Sequence, residues 1–182
     1  MAEKIRRQSR EKVYEGVVVD FYKDTMELPD GSTEVWDFVS HRNGAAAVVA
    51  ADAQGRLLLV RQYRPAIERF TLELPAGKRD SVTEDTLVAA KRELSEETGY
   101  ISEKWRKFLS LKTTVAFCDE FIDIYLAEDI QHAGAQHLDP SEDIDFGFYT
   151  VEELLEKIYA CEIQDAKTVS GILAYANYVH RQ

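Results

Sequence analysis

Three glutamates, Glu93, Glu96 and Glu97, are spaced so that one face of a helix would carry all of them. Residues three and four apart on a helix are neighbours, so the three carboxylates repel one another. No lysine or arginine lies four residues after any of them to offset that repulsion. A hard cation that prefers oxygen ligands, such as Mg²⁺ or Mn²⁺, would stabilise the cluster. The alternative is that glutamate is simply a good helix former on a solvated face.

The segment that carries these glutamates has the pattern of a helix. Apolar residues recur at helical intervals between residues 82 and 98. A capping box, Ser81 to Glu84, precedes them, and Gly99, a common residue at helix ends, follows. The pattern therefore predicts a helix over about residues 82–98. A predicted strand ends shortly before it at Pro75-Ala76-Gly77, which would place the acidic face beside the rim of a sheet.

The chain divides into two regions by its strand and helix patterns. Residues 13–40 predict strands around a turn at Leu28-Pro29-Asp30-Gly31, and their core is too small to stand alone. The basic residues 1–12 are typical of a frayed, solvated end. We therefore predict a small N-terminal antiparallel β unit over residues 1–42 and a main α/β domain over residues 43–182. In the main domain we predict strands at about 45–51, 56–63, 71–74, 107–115, 121–127 and 144–149, and helices at about 82–98, 151–161 and 166–179.

The charge balance limits the classes of function. The chain has 182 residues with 22 basic and 33 acidic side chains, which give a formal charge of -11. A nucleic-acid binder gains its affinity mainly by neutralising phosphates, so we expect no nucleic-acid partner. An acidic protein can bind an anionic phosphate compound only where local cations reverse the field, and bound divalent metals can do this.

Membrane insertion and disulfides are not indicated. The longest apolar runs, such as Ala45 to Ala51, are too short to span a bilayer, and the charged N-terminus has no apolar stretch behind it. The two cysteines, Cys118 and Cys161, belong to no metal-binding spacing. We therefore expect a cytoplasmic protein with reduced thiols and no membrane partner.

Residues Gly77 to Tyr100 resemble the Nudix box, G-x5-E-x7-R-E-U-x-E-E-x-G-U, in which U is a bulky apolar residue. Glu84 is followed by seven residues and then by Arg92-Glu93-Leu94-Ser95-Glu96-Glu97-Thr98-Gly99-Tyr100, all in register. Six residues separate Gly77 from Glu84 instead of five, which one extra loop residue explains. The resemblance implies an α/β/α sandwich around a mixed sheet, here preceded by the N-terminal β unit.

The resemblance also implies a metal site. Glu93 and Glu97 match the main ligands of Mg²⁺, for which Mn²⁺ could substitute. Glu96 matches an accessory ligand, and the carbonyl of Ala76 matches a backbone ligand. Glu96 and Glu97 are accordingly also candidate catalytic residues.

The similarity extends over nearly the whole chain to the ADP-ribose pyrophosphatase branch of the Nudix family. The segments that carry it are Leu28-Pro29-Asp30-Gly31, Arg61-Gln62-Tyr63-Arg64 and Glu73-Leu74-Pro75-Ala76-Gly77. The branch implies a homodimer formed through the N-terminal unit and hydrolysis of the pyrophosphate of nucleoside diphosphate sugars. It usually has Ser-Pro-Gly where this chain has Thr114-Val115-Ala116. We therefore expect cleavage of ADP-ribose and also of GDP-mannose or ADP-glucose.

That branch implies substrate-binding residues as well. An arginine matching Arg64 contacts the diphosphate, a glutamate matching Glu120 reaches the ribose, and Glu73 lies in one of the shared segments. Trp36 is our candidate for stacking on the base, with Phe21 as the other aromatic. A buried strand aromatic without contact to substrate is the alternative for either ring.

Two further assignments leave alternatives open. The resemblance favours a structural role for Arg92, paired with a box glutamate such as Glu84, over a contact with substrate. The acidic loop 139–143 supplies Glu142 as a candidate metal ligand or general base, the alternative being an exposed acidic loop. Rival functions are a nucleoside triphosphate pyrophosphohydrolase and a non-catalytic sensor of ADP-ribose. The retained glutamates disfavour the sensor, and the N-terminal unit disfavours the pyrophosphohydrolase.

Overall fold

The structure is a computed structural model that describes residues 4–140 and 143–181. The chain forms two compact units. One unit runs to Gly44 and includes Lys112–Phe121, and the other comprises Ala45–Leu111 and the chain from Ile122 onward. We call them the N-terminal unit and the main unit. Residues 112–121 therefore belong to the N-terminal unit although they lie far along the sequence.

The N-terminal unit is built on a three-stranded antiparallel sheet of β1 (Arg6–Glu15), β2 (Val19–Glu27) and β3 (Thr33–His41), in that order. Over residues 6–12 the expectation of a frayed end is wrong, because β1 pairs with β2 along this stretch. Arg10 donates two hydrogen bonds of 2.6 Å to the buried carboxylate of Asp24, and its guanidinium lies 3.7 Å from the ring centre of Phe38.

The main unit contains nine strands, three α-helices and one short 3-10 helix within its described part. The strands are β4 (Ala45–Ala51), β5 (Leu57–Arg64), β6 (Arg69–Glu73), β7 (Ala76–Lys78), β8 (Tyr100–Ile101), β9 (Lys104–Lys112), β10 (Phe121–Glu128), β11 (Gln131–His132) and β12 (Ile144–Tyr149). The helices are α1 (Thr86–Thr98), α2 (Val151–Tyr159) and α3 (Ala166–Val179), and the 3-10 helix is Pro65–Ile67.

Seven of these strands form one mixed sheet in the order β12-β5-β4-β10-β9, with β6 paired to β5 and β7 paired to β4. The β4–β10 pair is parallel, whereas β12–β5 and β4–β5 are antiparallel. Successive side chains of a strand point to opposite faces. Ala47 and Val49 of β4 accordingly pack in the cluster that contains residues of α2 and α3, and Ala46 and Val48 pack in the cluster that contains residues of α1. Helices thus cover both faces, which confirms the α/β/α sandwich.

The helix that carries the acidic motif starts later than predicted. Ser81 accepts a hydrogen bond of 3.2 Å from the backbone of Glu84, as in a capping box, but this contact closes a turn. The helix begins only after Asp85, whose side chain accepts the backbone N–H of Leu87 at 2.7 Å. At the other end Gly99 adopts a φ of 72° and caps the helix, as predicted.

The remaining predicted elements are confirmed within a few residues, with one informative shift. The strand expected over 107–115 ends at Lys112, because Thr114 starts a turn in which its carbonyl accepts the backbone N–H of Cys118 at 3.0 Å. The tripeptide that replaces Ser-Pro-Gly therefore still forms part of a turn. No helix in the described ranges is long and apolar enough to span a membrane.

Candidate active site

Two of the three motif glutamates lie on the buried face of α1. Glu97 is 2% exposed and Glu93 8%, and they continue the stripe of Ala90 and Leu94 that packs into the core. The backbone N–H of Ala76 in β7 donates a hydrogen bond of 3.1 Å to Glu97. A solvated helix face, the alternative considered from sequence, therefore does not describe Glu93 and Glu97.

Gly77 allows the carboxylate of Glu93 to lie against the backbone of β7. This glycine pairs with Ala46 of β4, so the sheet fixes its backbone. A Cβ atom at position 77 would overlap the carboxyl group of Glu93. The glycine is therefore required by the close approach of a charged side chain to a strand.

Arg92 supplies the positive charge that the spacing of the glutamates did not reveal. It donates hydrogen bonds to Glu93 at 2.7 Å, to Glu96 at 3.1 Å and to the carbonyl of Lys78 at 3.1 Å, and it lies 3.6 Å from Glu84. Burial alone would lower the pKa of Arg92, but the charge of Glu93 and these hydrogen bonds outweigh it and raise the pKa. The search for a basic residue four positions after each glutamate missed this pairing because Arg92 precedes them, whereas the Nudix resemblance did imply that Arg92 pairs with a box glutamate.

The motif residues border a cavity of about 380 Å³ in the main unit. Besides the glutamates and Arg92, its lining includes Gln62, Arg64, Lys78, His137 and Asp139. Sequence reasoning assigned no role to Gln62 or His137. Gln62 precedes Arg64 by two residues in β5, so strand alternation was the signal that could have identified it.

Arg64 is held by a buried carboxylate. Its Nε and Nη2 donate to the two carboxylate oxygens of Glu73 at 2.7 and 2.6 Å. Glu73 is 2% exposed and also accepts hydrogen bonds from Thr71 and Lys167. Burial alone would raise the pKa of Glu73, but the hydrogen bonds from Arg64 and the charge of Lys167 lower the pKa to about 2. Glu73 is therefore a permanently charged buried partner of Arg64.

Sequence reasoning missed Lys167, which lies 94 positions from Glu73. It stands in the first turn of α3, where Asp165 caps the helix through Thr168 and also accepts a hydrogen bond from Lys167 at 3.0 Å. No local pattern indicates that a lysine on this helix is 8% exposed and paired with a distant strand.

The remaining predicted site residues lie elsewhere. Trp36 and Glu120 belong to the N-terminal unit. Trp36 is 40% exposed and donates to Glu34 at 2.9 Å, so it is not a buried strand aromatic. Glu120 accepts a hydrogen bond from Thr113 at 2.6 Å. Glu142 lies outside the described residues.

The donor set at α1 fits a divalent cation by its chemistry. Within residues 4–140 and 143–181, the structure forms no group of three or more acidic, histidine or cysteine side chains that could hold a metal ion. Two buried carboxylates, Glu93 and Glu97, nevertheless lie beside the backbone of Ala76 and Gly77. Carboxylate and carbonyl oxygens are the ligands that hard divalent ions prefer.

Comparisons with known proteins agree with this arrangement. The NUDIX domain family profile matches residues 41–168. An ADP-ribose pyrophosphatase of Bacillus subtilis (strain 168) is 35% identical over 90% of this chain and 88% of its own length. A methanol dehydrogenase activator of Bacillus methanolicus is 38% identical over 89% of this chain and 87% of its own.

A solved structure described as an ADP compounds hydrolase has the same fold, with a TM-score of 0.88 over 100% of this chain and 97% of that one at 18% identity. The sandwich and its acidic helix are thus those of a hydrolase class that uses divalent metal ions. The chain belongs to the Nudix family.

The close approach at Gly77 can be tested by substitution. In Gly77→Ala the new methyl group must displace the carboxylate of Glu93, so we expect the hydrolytic rate to fall by ~100-fold, as displacements near 1 Å do in active sites. Gly134→Ala is the matched control, because a Cβ atom there meets nothing within 4 Å. Steady-state kinetics and thermal unfolding of both variants provide the measurement. An unchanged rate in Gly77→Ala would contradict the interpretation.

Proposed function

We propose that this protein is a Mg²⁺-dependent hydrolase that cleaves the pyrophosphate of nucleoside diphosphate sugars to a nucleoside monophosphate and a sugar phosphate. The observation that carries the proposal is that one cavity collects Glu93, Glu96 and Glu97 from α1 and Arg64 from β5. Carboxylates for a metal and a cation for phosphate oxygens are the two requirements of diphosphate hydrolysis. The similarity to the B. subtilis ADP-ribose pyrophosphatase supports the same substrate class.

In this proposal Glu93, Glu97 and the carbonyl of Ala76 would hold the metal, with Glu96 as an accessory ligand. When bound, a divalent ion supplies positive charge for the phosphate oxygens and lowers the pKa of water. Glu93 and Glu97 border the cavity but are 8% and 2% exposed, so bulk water has little access to their carboxylates. Buried charges of this kind interact strongly with a cation because the local dielectric constant is low.

Arg64 would bind the diphosphate. Glu73 accepts hydrogen bonds from Nε and Nη2 of Arg64. Nη1 of Arg64 has no hydrogen bond among the described residues, so it can donate to a phosphate oxygen. The side chain of Arg64 is 40% exposed, whereas Glu73 is buried. Glu73 therefore fits a positioning role behind Arg64 better than direct contact with substrate. Lys167 shares Glu73 with Arg64 and also pairs with Asp165.

Three other residues complete the proposal. Glu142 is our candidate for general base or further metal ligand, and Asp139 of the same acidic loop lines the cavity. Trp36 offers an exposed ring on which a base could stack. Glu120 offers carboxylate oxygens for ribose hydroxyls. A cytoplasmic location, inferred from sequence alone, remains a prediction.

A homodimer formed through the N-terminal unit is also part of the proposal. This unit exposes several apolar side chains, among them Val17 at 96% between β1 and β2 and Val35 at 64% in β3. Exposed apolar surface of this extent is typical of an interaction site. Closed two-fold dimers are the commonest way to cover such a surface.

The metal assignment predicts the behaviour of Glu97→Gln. The variant keeps the shape of the side chain but loses a ligand charge, so we expect the rate at saturating Mg²⁺ to fall by ~10³-fold or more. Glu103→Gln is the control, since Glu103 is an exposed glutamate away from the motif. Activity near that of the unmodified protein in Glu97→Gln would show that Glu97 holds no metal.

The dimer proposal predicts a sedimenting species of two chains at micromolar concentration. Replacing Val17 and Val35 together by serine should weaken this association, because both valines are exposed in the N-terminal unit. Val82→Ser removes a valine of the main unit that is about as exposed as Val35, and this change should leave the dimer intact. A single species of 20.8 kDa for the unmodified chain would refute the proposal.

The proposed substrate range predicts kcat/KM values across a nucleotide panel. Metals and Arg64 would grip the diphosphate, which every nucleoside diphosphate sugar shares, and aromatic stacking tolerates any base. Thr114-Val115-Ala116 lacks the rigid Pro-Gly turn, so selectivity for the terminal sugar should be loose. We expect cleavage of ADP-ribose, GDP-mannose and ADP-glucose, with nucleoside triphosphates much poorer.

The panel also separates the rival functions. A preference above ~100-fold for ADP-ribose over every hexose conjugate would contradict broad sugar selectivity, since only kcat/KM compares competing substrates. A triphosphate as best substrate would indicate a triphosphate pyrophosphohydrolase. Binding of ADP-ribose without any turnover would indicate a sensor.

A further inference from the structure

Gln62 carries a buried hydrogen-bond donor that nothing in the described chain satisfies. Its side-chain Nε2 is inaccessible to solvent and forms no hydrogen bond within the described ranges. Buried polar groups are nearly always paired, so an unpaired donor of this kind requires an explanation. Gln62 lines the same cavity as Arg64 and the motif glutamates. The unpaired donor therefore belongs to the candidate active site.

The position of Gln62 is fixed by the sheet. Its backbone is paired with Ile144 of β12 on one side and with Thr71 of β6 on the other. Gln62 and Arg64 are two residues apart in β5, and alternation along a strand places them on the same face. A strand that is paired on both sides holds a side chain more precisely than a loop does. The geometry of Gln62 relative to Arg64 is thus set before any ligand binds.

The chemistry of the donor limits what can satisfy it. A metal cation offers no acceptor, so a metal ion itself cannot pair with an amide N–H. A phosphate oxygen is a strong acceptor, and Arg64 beside it supplies the positive charge that attracts a phosphate. A buried donor without a hydrogen bond destabilises the free protein. This loss of free energy is regained when an acceptor binds.

We propose that Gln62 is a substrate-binding residue whose Nε2 donates a hydrogen bond to a non-bridging oxygen of the substrate diphosphate. The inference rests on the proposed function, because it takes the diphosphate to be the group held at Arg64. Gln62 supplies a neutral donor on the same face of β5 as the charged donor of Arg64. Gln62 thereby orients the diphosphate in addition to attracting it.

The test is Gln62→Leu, which keeps a similar volume and removes the donor. Two effects of opposite sign are expected, and a structural role would not produce both. Thermal unfolding of the ligand-free variant should occur at an unchanged or higher temperature, because an unpaired buried donor is removed. Binding of ADP-ribose, measured by titration calorimetry in EDTA, should weaken by ~10-fold, as for other hydrogen bonds to charged groups. With metal, KM should rise more than kcat falls.

Gln54→Leu serves as the matched control, since Gln54 is exposed in a loop and lines no part of this cavity. It should leave both unfolding and binding unchanged. Unaltered binding in Gln62→Leu overturns the inference, and a lower unfolding temperature with unaltered binding assigns Gln62 a structural role. If Gln62→Leu raises KM only in the presence of metal, the acceptor is a metal-bound water. That result also overturns the inference.

Failure of the proposed function gives a different result. If the unmodified protein neither binds nor cleaves ADP-ribose, the proposed substrate is wrong, and inorganic pyrophosphate becomes the probe. Weaker pyrophosphate binding in Gln62→Leu than in Gln54→Leu would then still support the donor role. Equal pyrophosphate binding in the two variants, or none in the unmodified protein, would overturn it.

Discussion

The candidate site depends on the burial of two carboxylates against the backbone of one short strand. Removing a carboxylate from water is costly unless hydrogen bonds and a counter-charge replace the solvent. Glu97 gains a backbone N–H from Ala76, and Glu93 gains the guanidinium of Arg92. The approach is close enough that a Cβ atom at Gly77 would have to displace the carboxylate of Glu93. The pairing of β7 with β4 presents this backbone to α1.

A second group of charged side chains, which supplies the cation Arg64, also borders the cavity. Glu73 is buried between Arg64 and Lys167, and Lys167 also pairs with Asp165, so two cations and two anions form one group. The overall formal charge of the protein is -11. Arg64 nevertheless brings a positive charge to the cavity, and at such short distances the local field matters more than the net charge. The separation of anionic and cationic clusters across one cavity is what suits it to a metal-assisted reaction on an anionic substrate.

The sequence predicted what local patterns determine. The helical spacing of apolar residues and the C-cap at Gly99 identified α1, and apolar runs separated by turn signals identified most of the sheet. Contacts between distant residues were missed, because no period in the sequence encodes them. The pairing of Arg10 with Asp24 makes an ordered strand of a segment that looks frayed. The pairing of Lys167 with Glu73 recruits a helix residue to the site. At the start of α1, Ser81 closes a turn, and Asp85, one helical turn later, caps the helix.

Thr168 links the last helix to the end of β6, the strand whose Glu73 pairs with Arg64. Its hydroxyl accepts the backbone N–H of Leu74 at 2.9 Å, next to the Lys167 contact with Glu73. The family match ends at residue 168, the third residue of this helix, whereas α3 continues to Val179. During synthesis on the ribosome, Glu73 is translated 94 residues before Lys167. The group of buried charges that orients Arg64 is therefore completed only after α3 has been translated.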